Sequence, residues 1–201
     1  MNPGTLIVVV GPSGAGKDTL IDAARAARPD IFFPRRVITR PEEAGGEAFT
    51  GVSAPEFAAR EAAGGFATLW HAHGLAYGIP CEIAPVLASG RHVLFNGSRS
   101  VIGALRATHS GLRVIVVTAA PEVLAERLAA RGREDAADIR ARLARAGFAT
   151  PEGPDVTVID NGQPLDAAVA AFLAALPGPS AASASAPAAP ASMPRKEPSR
   201  A

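Results

Sequence analysis

The stretch Thr5–Leu20 reads TLIVVVGPSGAGKDTL. Thr5 to Val10 is β-branched and apolar, the pattern of a strand buried on both faces in a parallel sheet. Gly11 to Lys17 is a Gly-rich turn that fits G-x-x-x-x-G-K. From Asp18 to Ala27 the spacing becomes helical. Leu20, Ile21 and Ala24 share one face, and Pro29 ends the run.

A buried strand, a Gly-rich turn and a helix, in that order, make a phosphate cradle. Successive backbone N–H groups of the turn converge on phosphate oxygens, and the helix adds its positive N-terminus. Lys17 would reach the β- and γ-phosphates of a nucleoside triphosphate. A nucleoside triphosphate is therefore the expected cofactor, held by Gly11, Pro12, Ser13, Gly14, Ala15, Gly16, Lys17, Asp18 and Thr19. The pattern next demands Ser or Thr, whose hydroxyl binds Mg²⁺, but Asp18 stands there and Thr19 follows. A carboxylate is also a hard oxygen ligand for Mg²⁺, directly or through water. Asp18 equally suits a helix N-terminus for its charge alone. Asp18 and Thr19 are the candidate metal residues.

Outward from this motif, apolar runs at His92 to Phe95, Leu112 to Thr118 and Val156 to Ile159 read as further buried strands. Helical stretches lie between them, at Glu82 to Ala88, Val101 to Thr108, Pro121 to Arg131 and Ala136 to Ala146. Leu165 to Leu176 closes the series as an amphipathic helix. Alternation of this kind predicts an α/β fold, a parallel sheet with helices on both faces. From Gly178 onward the chain is Ala, Pro and Ser with a basic end. It has no means of burying a core, so one domain over 1–176 and a disordered tail over 177–201 are expected.

Composition narrows the function. The chain of 201 residues carries a net charge of +1. Arg195, Lys196, Glu197 and Arg200 contribute +2 of it, leaving a body near −1. No basic footprint for nucleic acid emerges. The apolar run Leu6 to Val10 is too short for a membrane span or a signal h-region, so a cytoplasmic protein is expected. The single cysteine, Cys81, cannot form an internal disulfide and reads as a small packing residue. Lysine occurs only at Lys17 and Lys196, against eighteen arginines, so the lysine inside the Gly-rich turn is not an accident of composition.

Phosphoryl transfer asks the protein for positioning and cationic groups rather than covalent chemistry. Arg35, Arg36 and Arg40 cluster after the first helix. Arg127, Arg131, Arg133, Arg140, Arg142 and Arg145 cluster around a break at Gly132. That second group reads as a closing helical lid over about 129–147, or as solvated charge paired with Glu126, Glu134 and Asp138. Asn96, Ser98 and Arg99 follow a strand at its carboxyl end, where α/β sheets bind ligands. Strand alternation puts His71 and His73 on one face, as substrate contacts or as partly buried imidazoles. Trp70 reads as core and Tyr77 as functional.

GPSGAGKDTL, VITRP (Val37–Pro41), GVSAPEF (Gly51–Phe57), WHAHGLAYGIP (Trp70–Pro80), NGSR (Asn96–Arg99) and RLAARGRE (Arg127–Glu134) resemble the guanylate-kinase-like superfamily of P-loop kinases. Within it they are most similar to the ribose 1,5-bisphosphate phosphokinases, over roughly residues 5–176. The resemblance implies ATP- and Mg²⁺-dependent conversion of ribose 1,5-bisphosphate to 5-phosphoribosyl diphosphate (PRPP) in phosphonate breakdown. It implies an acceptor region over about 35–80, a small-molecule sugar phosphate as partner, and no nucleic-acid or membrane partner.

Departures from a true guanylate kinase point the same way. That enzyme holds the GMP phosphate with an arginine, a second arginine three residues on, and tyrosines. Here Arg40 and Tyr77 are kept, but Glu43 and Phe49 occupy the other places. The residues that read guanine, a glutamate and a Ser or Thr, fall on Thr68 and Ile79. A site without those groups cannot discriminate for the base. The expected acceptor residues are Arg36, Arg40, Tyr77, Asn96, Ser98 and Arg99, and the expected catalytic residues are Lys17, Arg131 and Arg142. Asn161, in D-N-G, is expected either to contact adenine or to form a plain turn. The alternatives are a kinase for GMP or another nucleoside monophosphate, and a non-catalytic guanylate-kinase-like interaction module.

Overall fold

The computed structural model describes residues 3–42, 48–130 and 150–180. A parallel sheet runs in the order β6-β1-β7-β8, built from β1 (Leu6–Val10), β6 (Val93–Asn96), β7 (Arg113–Thr118) and β8 (Val156–Asp160). Phe32 adds one parallel bridge to Val93 at the β6 edge. The helices are α1 (Lys17–Ala27), α2 (Ala54–Ala62), α3 (Ile83–Ala88), α4 (Ile102–Thr108), α5 (Pro121–Ala130) and Leu165–Ala175, here α6.

Side-chain alternation along β1 divides the core. Ile7 and Val9 pack with Leu20 and Ile21 of α1 and Phe172 of α6 on one face. Leu6, Val8 and Val10 pack with Ile83 of α3 and Leu105 of α4 on the other. All five residues of β1 are buried, as a central parallel strand requires. β8 departs from its reading as a buried strand. Among the described residues it pairs only with β7, and Val158 is 53% exposed. An apolar run looks alike in the centre and at the edge of a sheet, so the sequence does not separate the two.

A second sheet, in the order β3-β2-β5-β4, is mixed. It comprises β2 (Arg36–Ile38), β3 (Phe49–Gly51), β4 (Phe66–Ala72) and β5 (Leu75–Pro80). β4 and β5 form a hairpin in which Ala72 faces Leu75. Its two-residue turn, His73 and Gly74, has φ of 53° and 72°. Positive φ at both positions matches the right-handed strand twist. Trp70 and Ile79 from this hairpin enter the core cluster under β1, which fixes the second sheet against the first.

Residues 177–180, assigned to the tail by composition, lie on the body. Arg28 Nη1 donates to Pro177 O at 2.9 Å. His92 Nδ1 accepts from the Thr5 N–H at 2.9 Å. The neutral ring then carries its proton on Nε2, which faces Gly178 O at 3.0 Å. Cys81 is exposed, its Sγ donating to Gly64 O at 3.0 Å. It sits in the turn between β5 and α3, so it is not the core residue its type suggests. Among the described residues, no helix is long and apolar enough to cross a membrane.

Candidate active site

β1 and β6 are neighbours in the sheet, so the segments that leave their carboxyl ends meet. The first is the Gly-rich loop and the second is Asn96–Arg99. With the facing sheet they enclose a cleft of about 380 Å³. Lys17, Arg36, Tyr77, Asn96, Ser98 and Arg99 all border it. Trp70 and His73, which the chain supplies from the β4–β5 hairpin, border it too.

On the donor side, Gly16 is the N-cap of α1 at φ 83°, and no side chain caps the helix. The first N–H groups are thereby left for an anion. A Cβ at Gly16 would run into the Asn161 amide, so only glycine fits. Lys17 Nζ donates to Gly11 O at 2.9 Å and Pro12 O at 3.0 Å, which lays its ammonium across the loop. Asn161 is 3% exposed. Its Nδ2 donates to Ala15 O at 2.7 Å, and its carbonyl accepts from Arg127 Nη2 at 2.8 Å. Asn161 thus braces the loop from behind, and its Oδ1 is buried without a hydrogen-bond partner among the described residues.

On the side of the second sheet, Arg36 lies above the rings of Tyr77 and Trp70, at 5.5 and 6.0 Å from their centroids. The two rings are themselves parallel, at 5.3 Å. Burial pushes the Arg36 guanidinium down to about 10; Asp18 and Tyr77 work against that shift and Arg40 adds to it. Burial also lowers Arg99. Cations that have lost hydration gain most from an anion that replaces it. Asn96 is buried, and its Nδ2 donates to Asp18 Oδ1 at 2.8 Å. Ser98 Oγ accepts from Ser100. The Asn96 and Ser98 side chains are therefore partly committed within the protein.

Arg40 borders a neighbouring recess with Thr39, Glu42 and Ser53, its guanidinium 4.4 Å from the centroid of the Phe49 ring. Thr19 is exposed on α1 while Asp18 is half-buried. The histidine expectation needs correction. β4 ends at Ala72, so His71 is in the strand and His73 is in the turn; they do not share a strand face. Thr68 and Ile79 are direct cross-strand partners. Ile79 is fully buried in the core cluster, and neither residue borders the cleft. Arg131 and Arg142, Glu43 and the expected lid from residue 131 on lie outside the described residues.

Among solved structures, guanylate kinase from Anaplasma phagocytophilum matches with a TM-score of 0.60 at 18% identity, covering 83% of this chain and 81% of that one. The family model described as guanylate kinase matches residues 3–176. Ribose 1,5-bisphosphate phosphokinase PhnN of Rhizobium etli is 51% identical over 178 residues, 87% of this chain and 90% of that protein. Its counterpart in Ruegeria sp. is 51% identical over 83% of this chain and 88% of that protein. The chain belongs to the ribose 1,5-bisphosphate phosphokinase family. Its fold is the P-loop kinase fold of the guanylate-kinase superfamily, and it is a phosphotransferase.

For a member of this family, the departures from guanine recognition have a structural sense. A hydroxyl at position 79 would point into packed hydrocarbon. A neighbouring cleft rich in cations, with Arg36 stacked on aromatic rings, stands beside it. The sequence flagged most of the cleft. It gave no sign of the contact between Asp18 and Asn96, which are 78 positions apart, or of the brace between Asn161 and Ala15.

Proposed function

We propose that this protein transfers the γ-phosphoryl group of ATP to the C1 phosphate of ribose 1,5-bisphosphate, yielding PRPP in phosphonate catabolism. The observation that carries the reading is the cleft itself. Lys17, Arg36 and Arg99 line it together, and Thr68 and Ile79 supply no base-reading group.

ATP lies on Gly11 to Thr19, its phosphates on the loop N–H groups and Lys17. Asn161, donating to Ala15 O, holds the loop that carries the phosphates. Mg²⁺, when bound, offsets the charge of the β- and γ-phosphates. Asp18 is the only carboxylate at the start of α1, and its chemistry suits a hard cation directly or through water.

The acceptor lies between Arg36, Tyr77 and Arg99, with Arg40 closing on it from the adjoining recess. A C1 phosphate oxygen attacks the γ-phosphorus in line. A phosphate monoester is already anionic near neutral pH, so no strong general base is needed. Lys17 holds the transferring oxygens; Arg131 and Arg142 are assigned to the same task. The body spans 1–176 with the lid over about 129–147, and a cytoplasmic site of action follows from the sugar phosphate and ATP it uses. Coupled assays with ribose 1,5-bisphosphate and with GMP test the reading. Turnover of the sugar phosphate is expected, and turnover of GMP alone would overturn it.

A further inference from the structure

A chain of contacts leads from Asp18, the second residue after Gly16, into the acceptor site. Asp18 lies in the first turn of α1. Its Oδ1 accepts from Asn96 Nδ2 at 2.8 Å. The main-chain oxygen of Asn96 accepts from Arg36 Nη1 at 3.2 Å. Arg36 in turn lies over Tyr77 and Trp70. Three elements meet here: the donor helix, the end of β6 and the start of β2.

We propose that Asp18 is a positioning residue for the acceptor, holding Asn96 and through it the Arg36 guanidinium in the cleft. This rests on the assignment of Arg36 to the acceptor phosphate made above. Charge supports the geometry. The Asp18 carboxylate is the foremost group that favours the charged form of buried Arg36. Length supports it as well. A serine at position 18 is one bond shorter and carries no charge, so it reaches neither the Asn96 amide nor the field at Arg36. The residue that departs from the usual P-loop pattern thereby links the donor loop to the acceptor side of the cleft.

The test compares wild type with Asp18→Ser and Asp18→Asn, on the full chain. Serine restores the usual hydroxyl for Mg²⁺, whereas asparagine keeps an oxygen for Asn96 without the charge. Two readouts are taken. The first is KM for ATP·Mg²⁺ and for ribose 1,5-bisphosphate separately. The second is acceptor binding without turnover, by fluorescence of Trp70, the single tryptophan of the chain, which borders the cleft. Loss of a charged hydrogen bond predicts that Asp18→Ser weakens the acceptor by about 10-fold or more by both readouts. The change in KM for ATP·Mg²⁺ is smaller than the change in acceptor KM, and Asp18→Asn recovers part of the acceptor loss. An unchanged acceptor KM in Asp18→Ser, or a rise confined to ATP·Mg²⁺, overturns the proposal. If Asp18→Ser fails to melt cooperatively, the isosteric Asp18→Asn decides by the same split between acceptor and nucleotide. Wild type that uses GMP and not ribose 1,5-bisphosphate overturns the acceptor assignment instead, and the Asp18 series is then scored with GMP.

Discussion

Arg36→Ala separates acceptor recognition from nucleotide binding. A guanidinium offers a phosphate two parallel N–H groups. Each charge-assisted bond contributes about 1.5–3 kcal/mol, so losing both costs about 3–6 kcal/mol, or roughly 10²–10⁴ in kcat/KM for the acceptor. The structure argues for the upper part of that range. The guanidinium is already stacked on Tyr77 and Trp70 and tethered to Asn96 O, so little ordering remains to be done on binding. Arg36→Lys keeps the charge but loses the fork and the stack, for a loss of about 10-fold. The assay follows ADP release at saturating ATP with ribose 1,5-bisphosphate varied, then the reverse. KM for ATP is expected to change far less, because Arg36 belongs to β2 and lies over the Tyr77 and Trp70 rings of the β4–β5 hairpin. An Arg36→Ala protein within about 3-fold of wild type, or one whose two KM values rise together, would refute the reasoning.

Ile79→Ser places a hydroxyl where guanylate kinases read guanine, but here the position is fully buried among Leu6, Val8 and Trp70. A cavity and an unmet hydroxyl together cost about 3–5 kcal/mol, seen as a fall in melting temperature of about 10 °C or more, with no GMP turnover gained. Asn161→Ala removes the 2.7 Å bond to Ala15 O. It is expected to weaken ATP by about 5-fold or more in isothermal titration while sparing acceptor binding. Asp30 accepts from Arg28 Nε at 2.8 Å and Nη2 at 2.7 Å, which holds its carboxyl below the ordinary 3.8. A depressed carboxyl stabilises the fold above its unfolded value and loses that contribution as pH falls through the folded one. Asp30→Asn should therefore destabilise by about 1–3 kcal/mol at neutral pH, with the gap to wild type closing below 3.8, as urea titrations at the two pH values would show.

The core sheet was legible because its signals are local. Thr5 to Leu20 encodes strand, turn and helix in sixteen consecutive residues, and α4, α5 and α6 fall within a residue or two of their periodic patterns. The second sheet was harder to read. β2 and β3 have three residues each, too few for alternation to show, and their faces are set by pairing with distant partners. The same limit governs the site. Arg36, Tyr77, Asn96 and Arg99 stood out by type and position, and all border one cleft. Which of their atoms are already engaged was not legible. That Asn96 gives its amide to Asp18, or that Asn161 faces the loop, depends on β1 and β6 lying side by side, which no spacing along the chain reveals. His73 is a smaller case. A hairpin turn at His73-Gly74 cuts the strand one residue before the alternation would have placed it.

The most direct measurement is phosphorus NMR of the products formed from ATP, Mg²⁺ and ribose 1,5-bisphosphate. The account predicts a diphosphate pair of signals on the sugar C1, with the C5 phosphate unchanged and one ADP formed per diphosphate. A spectrum in which the sugar keeps two monoester signals, while GMP under the same conditions becomes GDP, would contradict it.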